Sequence, residues 1–363
     1  MCVSQVFAET PSVQVIGNII GTVITPSFHS SKQQPQKLMT LSAASSPQSE
    51  EVGEIKHILL QQIVLSKQAQ QYLDNEMKSL DSASSTPTTT MTLPSQVDLG
   101  MNSVPVLDQG IHGTCATFAS TAIIDAVYSK DDYISQLCNL ELTDYLHPTT
   151  SNTHHGWDGS TNSIILDQIK QYGIISKSYQ QATGCAGEKE YPLTDPNNIG
   201  HPMSTEDFRL HSEPIMSSIS IRTYLEMKDA FSPLSRMGQV FGQVKQALTN
   251  QHRVVIGFLL DTNKGGVGAY GHYRSKTYAD SWIMTPEIKS NILKHKIHAG
   301  HAIIIVGYDD NAIITGSDGS KHVGAFILRN SWGPRAGYQG NYFMSYEYFK
   351  ELGAETIEVL PST

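Results

Sequence analysis

Cysteine is scarce: Cys2, Cys115, Cys138 and Cys185 are the four in a chain of 363 residues. That excludes a scaffold stapled together by disulfides. The count suits one bridge and a functional thiol, with Cys2 left over. Charge is sparse at 16% of residues, and basic charge more so, with 25 Lys and Arg against 34 Asp and Glu and a net charge of −9. The densest basic stretch, Lys294-His295-Lys296, reads as a solvated loop. No nucleic-acid partner is expected without clustered Lys and Arg. No apolar run reaches the roughly 18 residues of a membrane span, so no membrane partner is expected. Asn-x-Ser/Thr sequons are absent, and nothing points to N-glycosylation. His147, His154 and His155 lie in one stretch but lack further ligands at defined spacing. They read as loop residues, with no metal and no cofactor implied.

What remains is a chain with 39% hydrophobic residues, able to bury a large core. Its first ninety residues differ from the rest. Residues 13–16 and 19–25 are β-rich runs either side of Gly17-Asn18, the pattern of a hairpin. Residues 26–50 are Ser-, Gln- and Pro-bearing and read as a loop. Residues 51–80 read as a helix, because Ile55, Leu59, Ile63, Tyr72, Leu73, Met77 and Leu80 suit one helical face. Eight of the eleven residues 82–92 are Ser or Thr, a flexible linker of the kind that proteases nick. This plan suggests a removable prosegment over residues 1–92; the alternative is a small permanent N-terminal domain.

From residue 93 the composition is globular. Helices are expected at 115–129, 162–172 and 238–248, and a buried strand at 254–260. Further strands are expected at 302–308, 325–328 and 341–346. Helices first and strands later is an α+β order.

Three segments carry chemistry. In Gln109-Gly110-Ile111-His112-Gly113-Thr114-Cys115 a tight glycine-bracketed loop delivers a cysteine to the start of a helix. A helix N-terminus favours the thiolate, which is the nucleophilic form, and Cys115 N–H is free to hold an oxyanion, with Gln109 a second donor. A buried structural cysteine is the competing reading. In Gly300-His301-Ala302 a histidine opens an apolar strand. In Asn330-Ser331-Trp332-Gly333 an amide can fix the tautomer of that imidazole, with Trp332 shielding the bond from water. Nucleophile, base and orienting group make a triad.

In this order the segments resemble the papain family of cysteine peptidases. The likeness extends to residues 93–99, to 104–110, to 156–174 and to 341–343. It implies a two-lobed fold, one lobe helical and one a β-barrel, over residues 93–363. Cys115 and His301 then share the cleft with Asn330 and Gln109. Asp158, Gly159, Ser160 and Trp332 bind an extended substrate, Cys138 bridges Cys185, and the prosegment lies in the cleft as an intramolecular inhibitor. There are departures. A cysteine usual three residues before the nucleophile is His112, and the position of its usual partner is Trp157. The residue after the nucleophile is Ala116 where an aromatic is usual, and a second tryptophan is replaced by Ala336, which should widen the leaving-group side of the cleft. Cys115 and His301 are 186 positions apart, beyond the roughly 130–150 usual in such enzymes. The excess falls at 185–240 and 262–298, as loops or an extra element. The 29 positions from His301 to Asn330 imply a long hairpin through 309–321.

The expected function is therefore a thiol-dependent peptidase acting on polypeptides, a monomer made as an inactive zymogen. Alternatives are an acyl transferase of transglutaminase type with the same triad, or a catalytically silent binding module. Small or branched residues at Val6 and Ala8 suit the tail of a truncated signal peptide over residues 2–8, though an ordinary terminus reads equally well. The first option makes the protein secreted or extracytoplasmic; a lysosome-like acidic compartment is the alternative.

Overall fold

The computed structural model describes residues 12–26, 53–80, 93–148, 156–215 and 219–362. The expectations for residues 2–8, for the loop at 27–50, for the linker at 82–92 and for His154 and His155 lie outside the described residues.

The chain opens with strands β1 (Val13–Thr25) and β2 (Glu54–Leu65), helix α1 (Lys67–Leu80) and strand β3 (Gln96–Asp98). A helical stretch follows: α2 (Cys115–Tyr128), α3 (Gln136–Leu146), α4 (Asn162–Tyr172), α5 (Lys177–Thr183) and α6 (Thr205–His211). Then come β4 (Ile219–Leu225), α7 (Met237–Thr249), β5 (Arg253–Leu260), β6 (Gly271–His272), β7 (Ser281–Trp282) and α8 (Pro286–Leu293). The end is built from β8 (Ala299–Gly316), β9 (Lys321–Arg329), β10 (Asn341–Ser345), α9 (Tyr346–Leu352) and β11 (Gly353–Pro361). The fold is a mixed α/β one with an extended, largely antiparallel sheet.

Two N-terminal expectations change. Gly17-Asn18 is no turn: β1 runs straight through it, with a bulge between Val15 and Gly17 and Gly17 at φ 144°. Gly in a strand marks a bulge as readily as a turn, and periodicity does not separate the two. The partner of β1 is β2, cut from the stretch read as the start of a helix. A spacing of four, as in Ile55, Leu59 and Ile63, keeps residues on one face of a strand as well as of a helix. Ser66 ends the strand and starts α1, its Oγ accepting from Ala69 N at 3.1 Å as an N-cap does. In α1 the helical reading holds, with Ala69, Leu73 and Met77 buried at intervals of four.

The later elements match their expected positions closely, including the long β8–β9 hairpin. Every residue of β5 is buried, as expected of a central strand covered on both faces. It pairs with β11 on one side and β8 on the other. Strand alternation sends Ile303 and Ile305 to a core shared with α1, α7, α8 and α9. Ala302, Ile304 and Val306 face the core built on α2 and α4. A smaller cluster surrounds Cys138 and Cys185, which are bonded to each other with Cα atoms 5.2 Å apart.

The segments in excess are built rather than loose. Residues 185–240 supply α6, the edge strand β4 and the start of α7; residues 262–298 supply β6, β7 and α8. Helix α8 is the dock for α1, through Gln70 Nε2 donating to Ile292 O at 3.2 Å and His295 Nε2 facing Asp74 Oδ2 at 3.1 Å. Among the described residues no helix is long and apolar enough to cross a membrane.

Leu60 is fully buried on β2 and packs on Gly21 of β1. Leu60→Ala is expected to cost about 2–5 kcal/mol in urea unfolding. Ile55→Ala, at a position 66% exposed, is expected to cost less than about 0.5 kcal/mol.

Candidate active site

Cys115 is the first residue of α2, a helix whose residues 115–126 are all buried. Its Sγ accepts from Ala302 N at 3.4 Å, so the thiol sits against β8 next to His301. His301 Nε2 meets Asn330 Oδ1 at 2.8 Å. That oxygen also accepts from Ser331 N at 2.8 Å, which orients the amide with its oxygen toward the ring. An amide oxygen only accepts, so Nε2 carries the proton and Nδ1 keeps its lone pair. Nδ1 is buried and has no hydrogen-bond partner. Trp332 stacks on the imidazole at 4.5 Å between ring centres and an interplanar angle of 28°, covering the His301–Asn330 bond. Trp332 is itself 1% exposed and edge-on to Trp282 and Tyr342. Ala336 is fully buried.

Gln109 is anchored on both ends: Oε1 accepts from Ser331 Oγ at 2.8 Å, and Nε2 donates to His112 O at 2.8 Å. The second hydrogen on Nε2 faces Leu59 O of β2, at 3.5 Å. The same strand continues over the rest of the site. Gln61 pairs with Gly300 and Gln62 with Ala299, and Ile63 N donates to His298 O at 2.8 Å. The Gln61 side chain donates from Nε2 to Ser160 O. From β1, Asn18 Nδ2 reaches Asp158 Oδ1 at 3.3 Å. Gly159, at φ 113°, leaves just enough room for Val15 and Gln61, whose atoms stand 3.0 and 3.2 Å from where a Cβ would be. Thus Asp158, Gly159, Ser160, Gln109 and the edge at Gly300 all touch the β1–β2 hairpin.

Covering the site reverses the charge state expected for a thiol at a helix N-terminus. Burial pushes the Cys115 thiol up to about 11, against hydrogen bonds from backbone N–H groups. Burial holds His301 down at about 4, against the bond to Asn330. Buried in this way, both groups are neutral at pH 7.

His112 and Trp157, the two positions where a disulfide is usual in the resembled family, touch each other edge-to-face at 4.9 Å. Tyr191 completes this cluster: it stacks on Trp157 and its hydroxyl donates to Gln109 O at 2.9 Å. The sequence reasoning missed Tyr191, which lies where no motif is recognisable. It also missed Asn18 and Gln61, whose contacts with Asp158 and Ser160 have no signature in the sequence. Asp108 was within reach, since it adjoins Gln109, and it binds Lys56 of β2 through both carboxylate oxygens at 2.6 and 2.7 Å.

No family model matches the chain. Two curated relatives, Testin-2 of Rattus norvegicus and Testin-2 of Mus musculus, are each 21% identical over 258 residues, or 71% of this chain. The chain spans 61% of the length of those relatives. Among solved structures, xylellain, a cysteine protease from Xylella fastidiosa, is similar at a TM-score of 0.46 and 18% identity, over 77% of this chain and 91% of its own. Digestive procathepsin L 3 of the Tenebrio molitor larval midgut is similar at a TM-score of 0.44 and 14% identity, over 80% and 79%.

The depressed His301 has a measurable sign. Its value in an unfolded chain is about 6.5, so between pH 6.5 and 4 the unfolded state binds the extra proton. The stability due to neutral His301 is complete above about pH 6.5 and is lost as pH falls through about 4. Glu141, raised to about 9 by burial, and Asp125 and Glu351, raised to about 7, act in the opposite direction. The measurement is therefore a difference in urea unfolding between the native chain and His301→Gln. The native chain is expected to lose about 3 kcal/mol more than the variant between pH 6.5 and 4.

Proposed function

We propose that the chain is a papain-like, thiol-dependent peptidase, with residues 93–363 as its catalytic domain and the N-terminal β1–β2–α1 segment as its built-in inhibitor. On this reading α2–α6 form one lobe and the strands from β4 onward the other. The observation that carries the proposal is an extended strand, β2, paired with β8 at Gly300 beside His301 and with its Leu59 carbonyl at the Gln109 amide. A site that holds an extended backbone beside a thiol, an oriented imidazole and an amide donor is suited to cleaving one.

The roles follow from the atoms. With the hairpin displaced, water reaches the site and the ion pair becomes accessible, because the raised thiol and lowered imidazole both have burial as their main cause. His301 Nδ1 takes the Cys115 proton and Sγ attacks the scissile carbonyl carbon. The oxyanion is met by Cys115 N–H and Gln109 Nε2. The imidazolium gives its proton to the leaving amine as the C–N bond breaks, then takes one from the water that releases the acyl group. Asn330 holds the ring throughout, and Trp332 shields that bond. Asp158, Gly159 and Ser160 hold the substrate backbone where β1 and β2 now lie. A monomer that folds with its inhibitor attached needs no partner to stay silent. A secreted or extracytoplasmic setting suits the Cys138–Cys185 bridge.

The test is cleavage of a fluorogenic peptide library under mildly acidic, reducing conditions, before and after nicking within residues 81–92. Activity is expected to rise at least about a hundredfold on nicking, and Cys115→Ala to abolish it, the loss of a nucleophile costing several orders of magnitude. If the nicked chain transfers acyl groups to amines without hydrolysing peptides, the peptidase reading fails. If the un-nicked chain cleaves as fast as the nicked one, the inhibitor reading fails.

A further inference from the structure

Lys56 of β2 occupies a site made of three oxygens. Its ammonium donates to Asp108 Oδ1 at 2.6 Å, to Asp108 Oδ2 at 2.7 Å and to Trp332 O at 2.9 Å. None of the three belongs to the N-terminal segment, and all are held in place without it. Asp108 and Trp332 form a β-bridge, and Asp108 Oδ1 accepts from Gly110 N at 2.9 Å. The next backbone pair, Gln109 N to Ser331 O at 2.8 Å, ties the same two segments together beside the Gln109 amide. Gly333 completes the cradle. It sits at φ 82°, and a Cβ there would lie 2.7 Å from Asp108 Oδ2 and 3.6 Å from the ammonium, so a side chain at this position would intrude on the cation.

An ammonium needs donors' partners all round it, and three converging oxygens with one full negative charge provide them. Once β2 leaves, those oxygens lose their cation while their own anchors stay. We infer that Asp108 and the Trp332 carbonyl form a substrate subsite for a lysine side chain on one side of the scissile bond, and that Lys56 occupies it as a stand-in. The inference rests on the peptidase reading above. Lys56 lies three residues along β2 from Leu59, the residue at the Gln109 amide, which is about 10 Å at the rise of a strand. Gln61 and Ile63, on the other side of Leu59, contact Ser160, Gly300 and His298. The lysine subsite therefore lies at the end of the cleft away from Asp158, Gly159 and Ser160, on the Trp332 side.

The test uses the full chain, nicked within residues 81–92 with both pieces left in solution. Internally quenched peptides carry lysine, norleucine or glutamate in turn at each of four positions on either side of the cleaved bond. At one position, two to four residues from that bond, lysine is expected to raise kcat/KM about fivefold over norleucine, the upper end for a partly exposed ion pair. Asp108→Asn keeps the acceptor for Gly110 N and removes the charge, and is expected to bring that ratio near one. Asp108→Lys is expected to turn it in favour of glutamate. No position with a lysine preference, or a preference that survives Asp108→Lys, overturns the subsite. If no peptide is cleaved while Cys115 still alkylates, the peptidase reading is what has failed. The lysine and norleucine peptides are then compared by fluorescence anisotropy on nicked Cys115→Ser protein, where equal affinities at every position overturn the subsite and a several-fold lysine advantage, lost in Asp108→Asn, sustains it.

Discussion

The edge at His298, Ala299 and Gly300, where β8 begins, presents backbone groups that must find partners. In this structure β2 supplies them through Gln61, Gln62 and Ile63. Much else follows from that one pairing. It brings Leu59 O to the Gln109 amide and Gln61 to Ser160 O. It carries β1 with it, since β1 pairs with β2 along its length, and so sets Asn18 against Asp158. Cys115 and His301, close to these contacts, are 0% and 1% exposed. On the proposed reading, the same kind of interaction that holds this strand would hold an extended substrate.

Sealing works on charge as much as on access. A thiol–imidazole pair is reactive when the proton has moved from sulfur to nitrogen, and two charges in a dry site are costly. Burial raises the thiol and lowers the imidazole together, so the reactive form is disfavoured twice. The geometry around it is left intact: Asn330 still orients the ring and Trp332 still covers the bond. The site is assembled but uncharged.

How much of this was legible in the sequence depends on range. Residues whose position is set by near neighbours could be read. Cys115 after its glycine-bracketed loop, His301 at the head of an apolar strand and Asn330 before Ser-Trp-Gly all stand where the motifs put them. Helix α2, the buried strand β5 and the long β8–β9 hairpin were legible from periodicity and spacing. The N-terminal hairpin was not, because its pairing joins residues from 29 (Thr25 with Glu54) to 52 (Val13 with Leu65) positions apart and because Gly17-Asn18 spells both turn and bulge. Nor were Lys56 and Asp108, whose meeting depends on where β2 lies. His112 and Trp157 could be read as the loss of a disulfide, but that their rings meet edge-to-face is a matter of packing.

That last contact has a bearing on where such a thiol can work. A cysteine nucleophile needs reducing surroundings to stay free, and those surroundings attack any disulfide that steadies its loop. Here the loop carrying Cys115 is steadied by His112, Trp157 and Tyr191, a support that carries no redox potential. The bridge at Cys138 and Cys185 packs in the same cluster as Trp157, with Tyr191 against it, but makes no covalent link to that loop. Reductant strong enough to keep Cys115 free therefore has no bond to break in the ring contacts on its own loop.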